Sequence, residues 1–244
     1  MKALYKMTVV EAKMFLREPM AVFFTLAFPV MALLLFGNLF GGYPVPGTDL
    51  RGIDLYVPAY TGMIIGTVGL IGLPTTLAAY RDKDVLRRLR ATPLTSTTIL
   101  GAHVLVNLAA TTVGIALLLV VGKLAFDLKM PEAPFSVAAA LAFASLSFFA
   151  VGFAMAGLLP TVRVTSAVGQ IVFFPMLFLS GAALPLQTLP NSLRRISDFL
   201  PLTYVVELAQ GLWIGEGWNW FAVAVLLGVL ALSILVSAKT FRWE

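Results

Sequence analysis

Cysteine is absent from this chain of 244 residues, and histidine occurs once, at His103. Without cysteine the chain cannot form disulfides or thiolate metal sites, and one histidine cannot build a histidine metal cluster. Charge is also scarce, because 12% of the residues are charged and 59% are hydrophobic, whereas soluble domains carry about 25% charged residues. A soluble fold would leave much of this apolar surface facing water, so the composition indicates an integral membrane protein.

The few charges that remain are mostly basic, with a net charge of +5. In membrane proteins an excess of Lys and Arg marks the loops that stay in the cytoplasm. We therefore expect a lipid bilayer as the surroundings and no nucleic-acid partner.

Six stretches are long and apolar enough to cross a bilayer as helices, which takes about 20 residues each. None of the six contains Asp, Glu, Lys or Arg. They predict an all-α membrane protein in a single transmembrane domain over residues 1–244, with spans at about 20–40, 58–80, 98–122, 135–159, 166–184 and 218–238.

A seventh apolar stretch, 199–215, is short and contains Pro201 and Glu207. With six spans, 12 of the 17 Lys and Arg residues lie on the cytoplasmic side, whereas a seventh span would reduce that number to 10. The positive-inside rule therefore favours six spans with both termini cytoplasmic. The segment 185–217 is then expected outside, as re-entrant helices in the outer leaflet, buried against protein or a water-filled cavity.

The residues before the first span, 2–18, form a pattern typical of an amphipathic helix. Four basic residues fall within an arc of roughly 60° at 100° per residue: Lys2, Lys6, Lys13 and Arg17. This predicts a helix in the cytoplasmic interface, with its basic side near lipid phosphates. The alternative is a charged flank of the first span.

The loop between spans two and three, 81–92, predicts a short cytoplasmic helix. Its apolar residues share one face, its acids lie at the start and its basic residues near the end, an order that complements the helix dipole. The residues concerned are Val85, Leu86 and Leu89 on the apolar face, Asp82 and Asp84 at the start, and Arg87, Arg88 and Arg90 near the end. Such an element suits docking of a partner; the alternative is a solvated basic loop that only sets topology.

Two further sets of residues are candidates for a substrate path. Gly62, Gly66 and Gly69 fall, with Gly72, within an arc of roughly 120° of span two, which allows another helix to approach closely. That face lies either at a subunit interface near the path or against helices of the same subunit. Gln170, Phe173 and Phe174 in span five contact either substrate or neighbouring helices and lipid.

The order and spacing of several motifs resemble the membrane subunits of ABC-2 type exporters, most of all the drug-exporter branch. The resemblance covers essentially the whole chain. Its motifs are Leu86-x-x-Leu89-Arg90-x-Thr92-Pro93-Leu94, Ser180-Gly181-x-x-x-Pro185, Pro190, and Pro201-Leu202-Thr203-Tyr204-Val205-Val206-Glu207. Two positions depart from the family pattern: Asp84-Val85-Leu86-Arg87 stands where Gly-Thr-Leu-Glu is common, and Gln210 where Arg is common.

The resemblance implies a function. Two such subunits pair in the cell (inner) membrane of a bacterium or archaeon, and each rests on a separate ATPase subunit that binds ATP and Mg. The chain itself would then bind no cofactor or metal and carry no catalytic residue, and it would export a hydrophobic or amphipathic molecule. The implied ATPase-coupling residues are Arg17, Asp82, Asp84, Leu86, Arg87, Leu89 and Arg90, and the implied outer gate comprises Pro185, Pro201, Tyr204 and Glu207.

The residues support this division of labour independently, because the chain has no G-x-x-x-x-G-K-[ST] phosphate-binding loop. Other classes fit less well. An ion-coupled secondary transporter needs ionisable groups inside the spans, and an intramembrane enzyme needs a metal cluster or a nucleophile with its base. A membrane anchor or assembly protein without transport activity stays as the alternative.

The topology yields a labelling prediction. Because the chain has no cysteine, Arg90→Cys and Arg195→Cys each introduce a unique thiol. We expect an impermeant maleimide to label Arg195→Cys in intact cells and Arg90→Cys only after permeabilisation. Labelling of both variants from the same side would contradict the six-span topology.

Overall fold

The computed structural model describes residues 2–45, 50–82, 95–186 and 189–240. Within these ranges the regular structure is helical, apart from an isolated bridge between Pro44 and Arg51. Six helices are long and apolar enough to cross a membrane, which confirms the all-α class and the number of spans. Spans one to six are Pro19–Phe40, Gly52–Asp82, Ser96–Phe126, Pro134–Leu158, Val162–Leu179 and Trp220–Thr240.

Local sequence explains where several of these helices start. Pro19 and Pro134 occupy the first turn of spans one and four, where a missing N–H costs nothing and the fixed φ suits a helix. Thr95 and Thr161 precede spans three and five, and each side chain accepts a hydrogen bond from the backbone N–H three residues later. These N-caps satisfy donors that the first turn leaves unpaired.

Span two begins at Gly52 rather than at the predicted residue 58, because Asp54 is paired. Asp54 is fully buried; its Oδ2 accepts from the Arg51 backbone N–H at 3.0 Å and its Oδ1 from the Lys129 N–H at 3.1 Å. A carboxylate held in this way no longer prevents burial, so the helix extends further than hydropathy suggested.

Span five ends at Leu179, five residues before the predicted end at residue 184. Gly181 follows with a φ of +87°, a conformation that L side chains rarely adopt and that commonly ends helices. The apolar residues 180–184 therefore continue past the helix as a bend.

Lys2–Leu16 is a helix that packs against the start of span three and the end of span two. Met7 is buried there beside Ile99 and Ala102, with Leu4 packed at the edge. The helix is thus part of the folded subunit. Its position in the membrane interface stays a prediction.

Span two is the centre of the subunit: 72% of its most apolar stretch is buried, against 22% in span one and 17% in span six. Span six packs along span four. Two segments between spans five and six are short helices, Asn191–Ser197 and Pro201–Trp213. The second of these packs on span two, and the Trp213 indole Nε1–H donates to the Lys129 carbonyl at 3.0 Å.

The closest packing in the bundle is backbone on backbone. Spans one and two each contain a π-helical turn, Phe23–Ala27 and Val68–Gly72. The second of these turns presents the Gly69 carbonyl to Gly152 of span four and the Leu70 carbonyl to Gly169 of span five. A Cβ at Gly152 or Gly169 would overlap the facing carbonyl oxygen, so glycine is required at both contacts.

This contact can be tested with two matched glycine substitutions. We expect Gly152→Ala to lower the unfolding temperature in detergent, because overpacking costs about 1–3 kcal/mol in a close-packed interior. Gly228→Ala, in span six with no atom within 4 Å of the added Cβ, should leave the temperature unchanged or raise it slightly through helix propensity. Equal stability of the two variants would contradict the close approach.

Candidate functional site

Spans one, two and five enclose a cavity of about 370 Å³, here called the large cavity. Its wall is mostly apolar, with six polar side chains and one charged residue. Pockets for drug-sized ligands have volumes of about 300–1,000 Å³ and a similar mixture of groups. The lining residues include Phe24, Phe28, Ile71, Phe173 and Phe174, then Thr25, Thr67, Thr75, Thr76, Ser166 and Gln170, and finally Glu18.

The residues that the sequence proposed for a substrate path divide into two groups. Gln170, Phe173 and Phe174 all line the large cavity. The three glycines instead face helices of the same subunit: Gly62 faces Val206 and Leu202, Gly66 faces the Phe173 ring, and Gly69 faces the Phe148 backbone. These three glycines thus pack within the subunit, whereas Gly72 of the same face lines the large cavity. A role of this face at a subunit interface stays a prediction.

Both π-helical turns contribute to the cavity wall. Phe24 and Thr25 come from the turn in span one, and Ile71 and Gly72 from the turn in span two. Such turns are rare inside helices and are frequent at functional sites. Nothing in the hydropathy pattern predicted them.

The polar groups of the large cavity differ in whether they are already paired. The hydroxyls of Thr67 and Thr76 donate to backbone carbonyls one turn earlier, at 2.8 and 3.0 Å. Gln170 Nε2 donates to Ser166 Oγ at 3.1 Å, which leaves its carbonyl oxygen available. The Thr75 hydroxyl is buried without a hydrogen-bond partner among the described residues.

A second cavity of about 90 Å³, the small cavity, adjoins the large one, and Glu18 and Thr76 line both. It lies between the N-terminal helix and spans two and three. Three buried groups meet there: Tyr80 donates its hydroxyl to the Glu11 carboxylate at 2.9 Å, and His103 Nδ1 lies 3.5 Å from Glu11 Oε2. The His103 Nε2 atom is buried and has no hydrogen-bond partner in the part of the chain that the structure describes.

Glu11 is a buried acid, since only 3% of its surface is exposed. Burial raises the pKa of Glu11 to about 7, with the Tyr80 hydrogen bond acting in the opposite direction and the Glu18 charge adding to the increase. The carboxyl group therefore changes charge near neutral pH.

Sequence analysis did not single out Glu11, although a signal was present. Leu4, Met7 and Glu11 are spaced i, i+3 and i+7 and so share one helix face, opposite the basic stripe. An acid on the apolar face of an amphipathic helix indicates a buried partner. His103, the single histidine of the chain, is part of this buried cluster.

The end of span two is fastened to the turn between spans four and five. Arg81 donates to the Ala156 and Leu159 carbonyls at 2.7 and 2.5 Å, at the end of span four. Asp82 Oδ2 accepts from the Val162 backbone N–H at 3.1 Å, at the start of span five. Each charge complements the helix dipole that it meets.

Two of the predicted ATPase-coupling residues lie in the described part of the chain. Arg17 is exposed after the N-terminal helix, and Asp82 takes part in the contact just described. The other five lie outside the described residues: Asp84, Leu86, Arg87, Leu89 and Arg90.

The predicted gate residues lie around the two short helices between spans five and six. Pro201 starts the second of them, and the Tyr204 hydroxyl donates to the Asp198 carbonyl at 2.5 Å. Pro185 lines a separate hollow of about 40 Å³. Glu207 lines a wider one of about 580 Å³, the outer cavity, and burial raises the pKa of its carboxyl group.

Comparisons with known proteins assign the family. The family model described as "ABC-2 type transporter" matches residues 2–214. The chain therefore belongs to the ABC-2 type transporter family.

Its relatives carry transport names in several organisms. The chain is 27% identical to the putative transport permease ycf38 of Porphyra purpurea, over 92% of this chain and 79% of that protein. It is 21% identical to the putative transport permease YvfS of Bacillus subtilis, over 97% and 96%. A shorter match, 32% identical, covers 39% of this chain and 36% of nodulation protein J of Rhizobium leguminosarum bv. viciae.

Glu11 gives a prediction for stability as a function of pH. Its folded-state pKa is raised from 4.5 to about 7, so the native state is favoured below pH 4.5 and loses that advantage as the pH rises to about 7. At pH 8 the free energy of unfolding of Glu11→Gln should therefore exceed that of the wild type by about 3 kcal/mol, which raises the unfolding temperature, and most of this difference should be gone at pH 5.

Glu132→Gln is the control, because Glu132 is exposed and lies outside both cavities. It should show no such pH-dependent difference in thermal unfolding scans. A Glu11→Gln variant that is destabilised equally at pH 5 and pH 8 would contradict a titrating buried acid.

Proposed function

We propose that this chain is the membrane subunit of an ATP-driven exporter, which moves a hydrophobic or amphipathic molecule out of the cell. It pairs with a second permease subunit and works with a separate ATPase subunit that binds ATP and Mg. The proposal adds a direction, a substrate class and partners to the family assignment.

The observation that carries the proposal is the large cavity. It lies among three spans, has aromatic and aliphatic walls, and offers hydroxyl and amide groups at a few points. An amphipathic molecule needs both kinds of contact, because unpaired polar groups are costly in hydrocarbon. A purely structural anchor has no use for such a space.

The energy source is inferred from what the chain does not offer. It has no phosphate-binding loop, and the ionisable residues of the described spans lie near span ends. Ion-coupled transporters instead place such residues along the ion path inside the membrane. Hydrolysis of ATP by a partner fits the chain better than an ion gradient does.

The contacts of Arg81 and Asp82 support a route for coupling. The loop 83–94, which resembles the ATPase-docking loop of the family, follows Asp82 directly. Through Arg81 and Asp82, a displacement of this loop would reach the ends of spans four and five as well as span two. Three helices would then move together, two of which, spans two and five, line the large cavity.

Topology completes the proposal. Both termini are placed in the cytoplasm of a bacterial or archaeal cell, and the large cavity then opens in the cytoplasmic half of the membrane. The helices Asn191–Ser197 and Pro201–Trp213 then lie in the outer leaflet as re-entrant elements. In that position Pro185, Pro201, Tyr204 and Glu207 form the outer gate.

The proposal is tested by purification after mild solubilisation from the native cells. We expect a subunit with ATPase activity to co-purify with the wild type. The double variant Leu86→Asp/Leu89→Asp should lose it, because two carboxylates replace apolar residues of the predicted docking loop.

Met130→Asp/Ala133→Asp is the control, since it also adds two carboxylates, at exposed positions of the short turn between spans three and four. It should retain the ATPase. If neither wild type nor control brings an ATPase, the exporter assignment fails. If the loop variant retains it, the docking role moves elsewhere on the subunit.

A further inference from the structure

The two adjoining cavities share an electrostatic character. Glu18 lines both, Glu11 lines the small one, and their described linings contain no Lys or Arg. Basic residues do occur nearby on the N-terminal helix, but Lys13 and Arg17 are exposed and form no ion pair with either acid among the described residues. Above pH 7, where the Glu11 carboxyl group is ionised, the two acids present a negative potential to whatever occupies the cavities.

Hydrogen-bond acceptors without a donor occur in the same place. The Tyr80 hydroxyl already donates to Glu11. Asn107, which lines the small cavity, donates one amide N–H to the His103 carbonyl at 2.8 Å, and its side-chain oxygen accepts no hydrogen bond among the described residues. Gln170 is arranged in the same way beside the large cavity.

His103 provides the most specific indication, because the residue is 2% exposed and Nε2 has no partner among the described residues. Nδ1 lies 3.5 Å from the Glu11 carboxylate. A neutral imidazole with its proton on Nδ1, facing that carboxylate, leaves Nε2 as an acceptor. A buried acceptor without a donor is costly, so a ligand that brings an N–H group would remove the cost.

We propose that the two cavities together bind an amphipathic molecule that carries a protonated amine. Its apolar part lies in the large cavity against Phe24, Phe28 and Phe173, and its ammonium group lies between Glu18 and Glu11 within reach of His103 Nε2. An ammonium group supplies three donors and one positive charge, which matches the acceptors and carboxylates present. An anionic head group would meet two acids and no cation.

This inference rests on the proposed transport function, because the bound amine would be the transported molecule. The experiment that tests it measures binding alone. The full chain is reconstituted in nanodiscs of phosphatidylcholine, whose quaternary ammonium group has no N–H donor. Three dansyl-labelled probes with the same alkyl chain are titrated by fluorescence anisotropy: an amine, an alcohol and a carboxylate. We expect the amine to bind at least tenfold more tightly than the alcohol, and the carboxylate more weakly than both.

The variants Glu18→Gln and Glu11→Gln should each weaken binding of the amine at least tenfold and leave binding of the alcohol unchanged. Glu132→Gln, an exposed acid outside both cavities, should bind all three probes as the wild type does. Since Glu18 is exposed, its variant is expected to fold even if Glu11→Gln does not. Equal binding of amine and alcohol, or unchanged amine binding in Glu18→Gln, would overturn the proposal.

The amine could come from a transported solute or from a lipid head group, and nanodisc composition separates these sources. Phosphatidylethanolamine that competes with the amine probe would identify a lipid amine, and absence of competition would identify a solute; both keep the ammonium site. A chain that binds the amine selectively but brings no ATPase would uphold this inference and reject the exporter. ATP-driven transport without amine selectivity would uphold the exporter and reject the ammonium site.

Discussion

The backbone contact between span two and its two neighbours sets the arrangement of this subunit. The π-helical turn Val68–Gly72 presents two carbonyls that rest directly on Gly152 and Gly169, so spans two, four and five approach as closely as helices can. Lipid gives no hydrophobic drive for helices to associate, and close van der Waals packing of small residues takes its place. Span two also borders the large cavity, together with spans one and five.

The same helix links the cavity to the end of the bundle. Span two contributes Thr67, Thr75 and Thr76 to the cavity wall and finishes at Arg81 and Asp82, which hold the ends of spans four and five. The two charges are satisfied by helix termini rather than by each other. A rigid element that lines a cavity and is fixed at its end can transmit a displacement over its full length.

Much of the fold followed from local sequence. Six apolar stretches gave six spans, and the placement of Gln170, Phe173 and Phe174 on one span led to residues that do line a common cavity. Errors at helix ends had specific causes: Asp54 is buried because distant backbone N–H groups pair it, and Gly181 ends span five by its positive φ. The coupling loop lies outside the described residues, so its predicted role rests on the motif and the family.

What the sequence alone determined is the class. The free energy gained by moving an apolar stretch from water into lipid depends on that stretch by itself, and about 20 apolar residues suffice to cross a bilayer. What only the tertiary structure decided is the chemistry inside. Glu11 meets Tyr80 across 69 positions of sequence, and Arg81 meets Ala156 across 75. No local pattern encodes such pairs, since a buried polar group is defined by its distant partner and by the partners that it lacks.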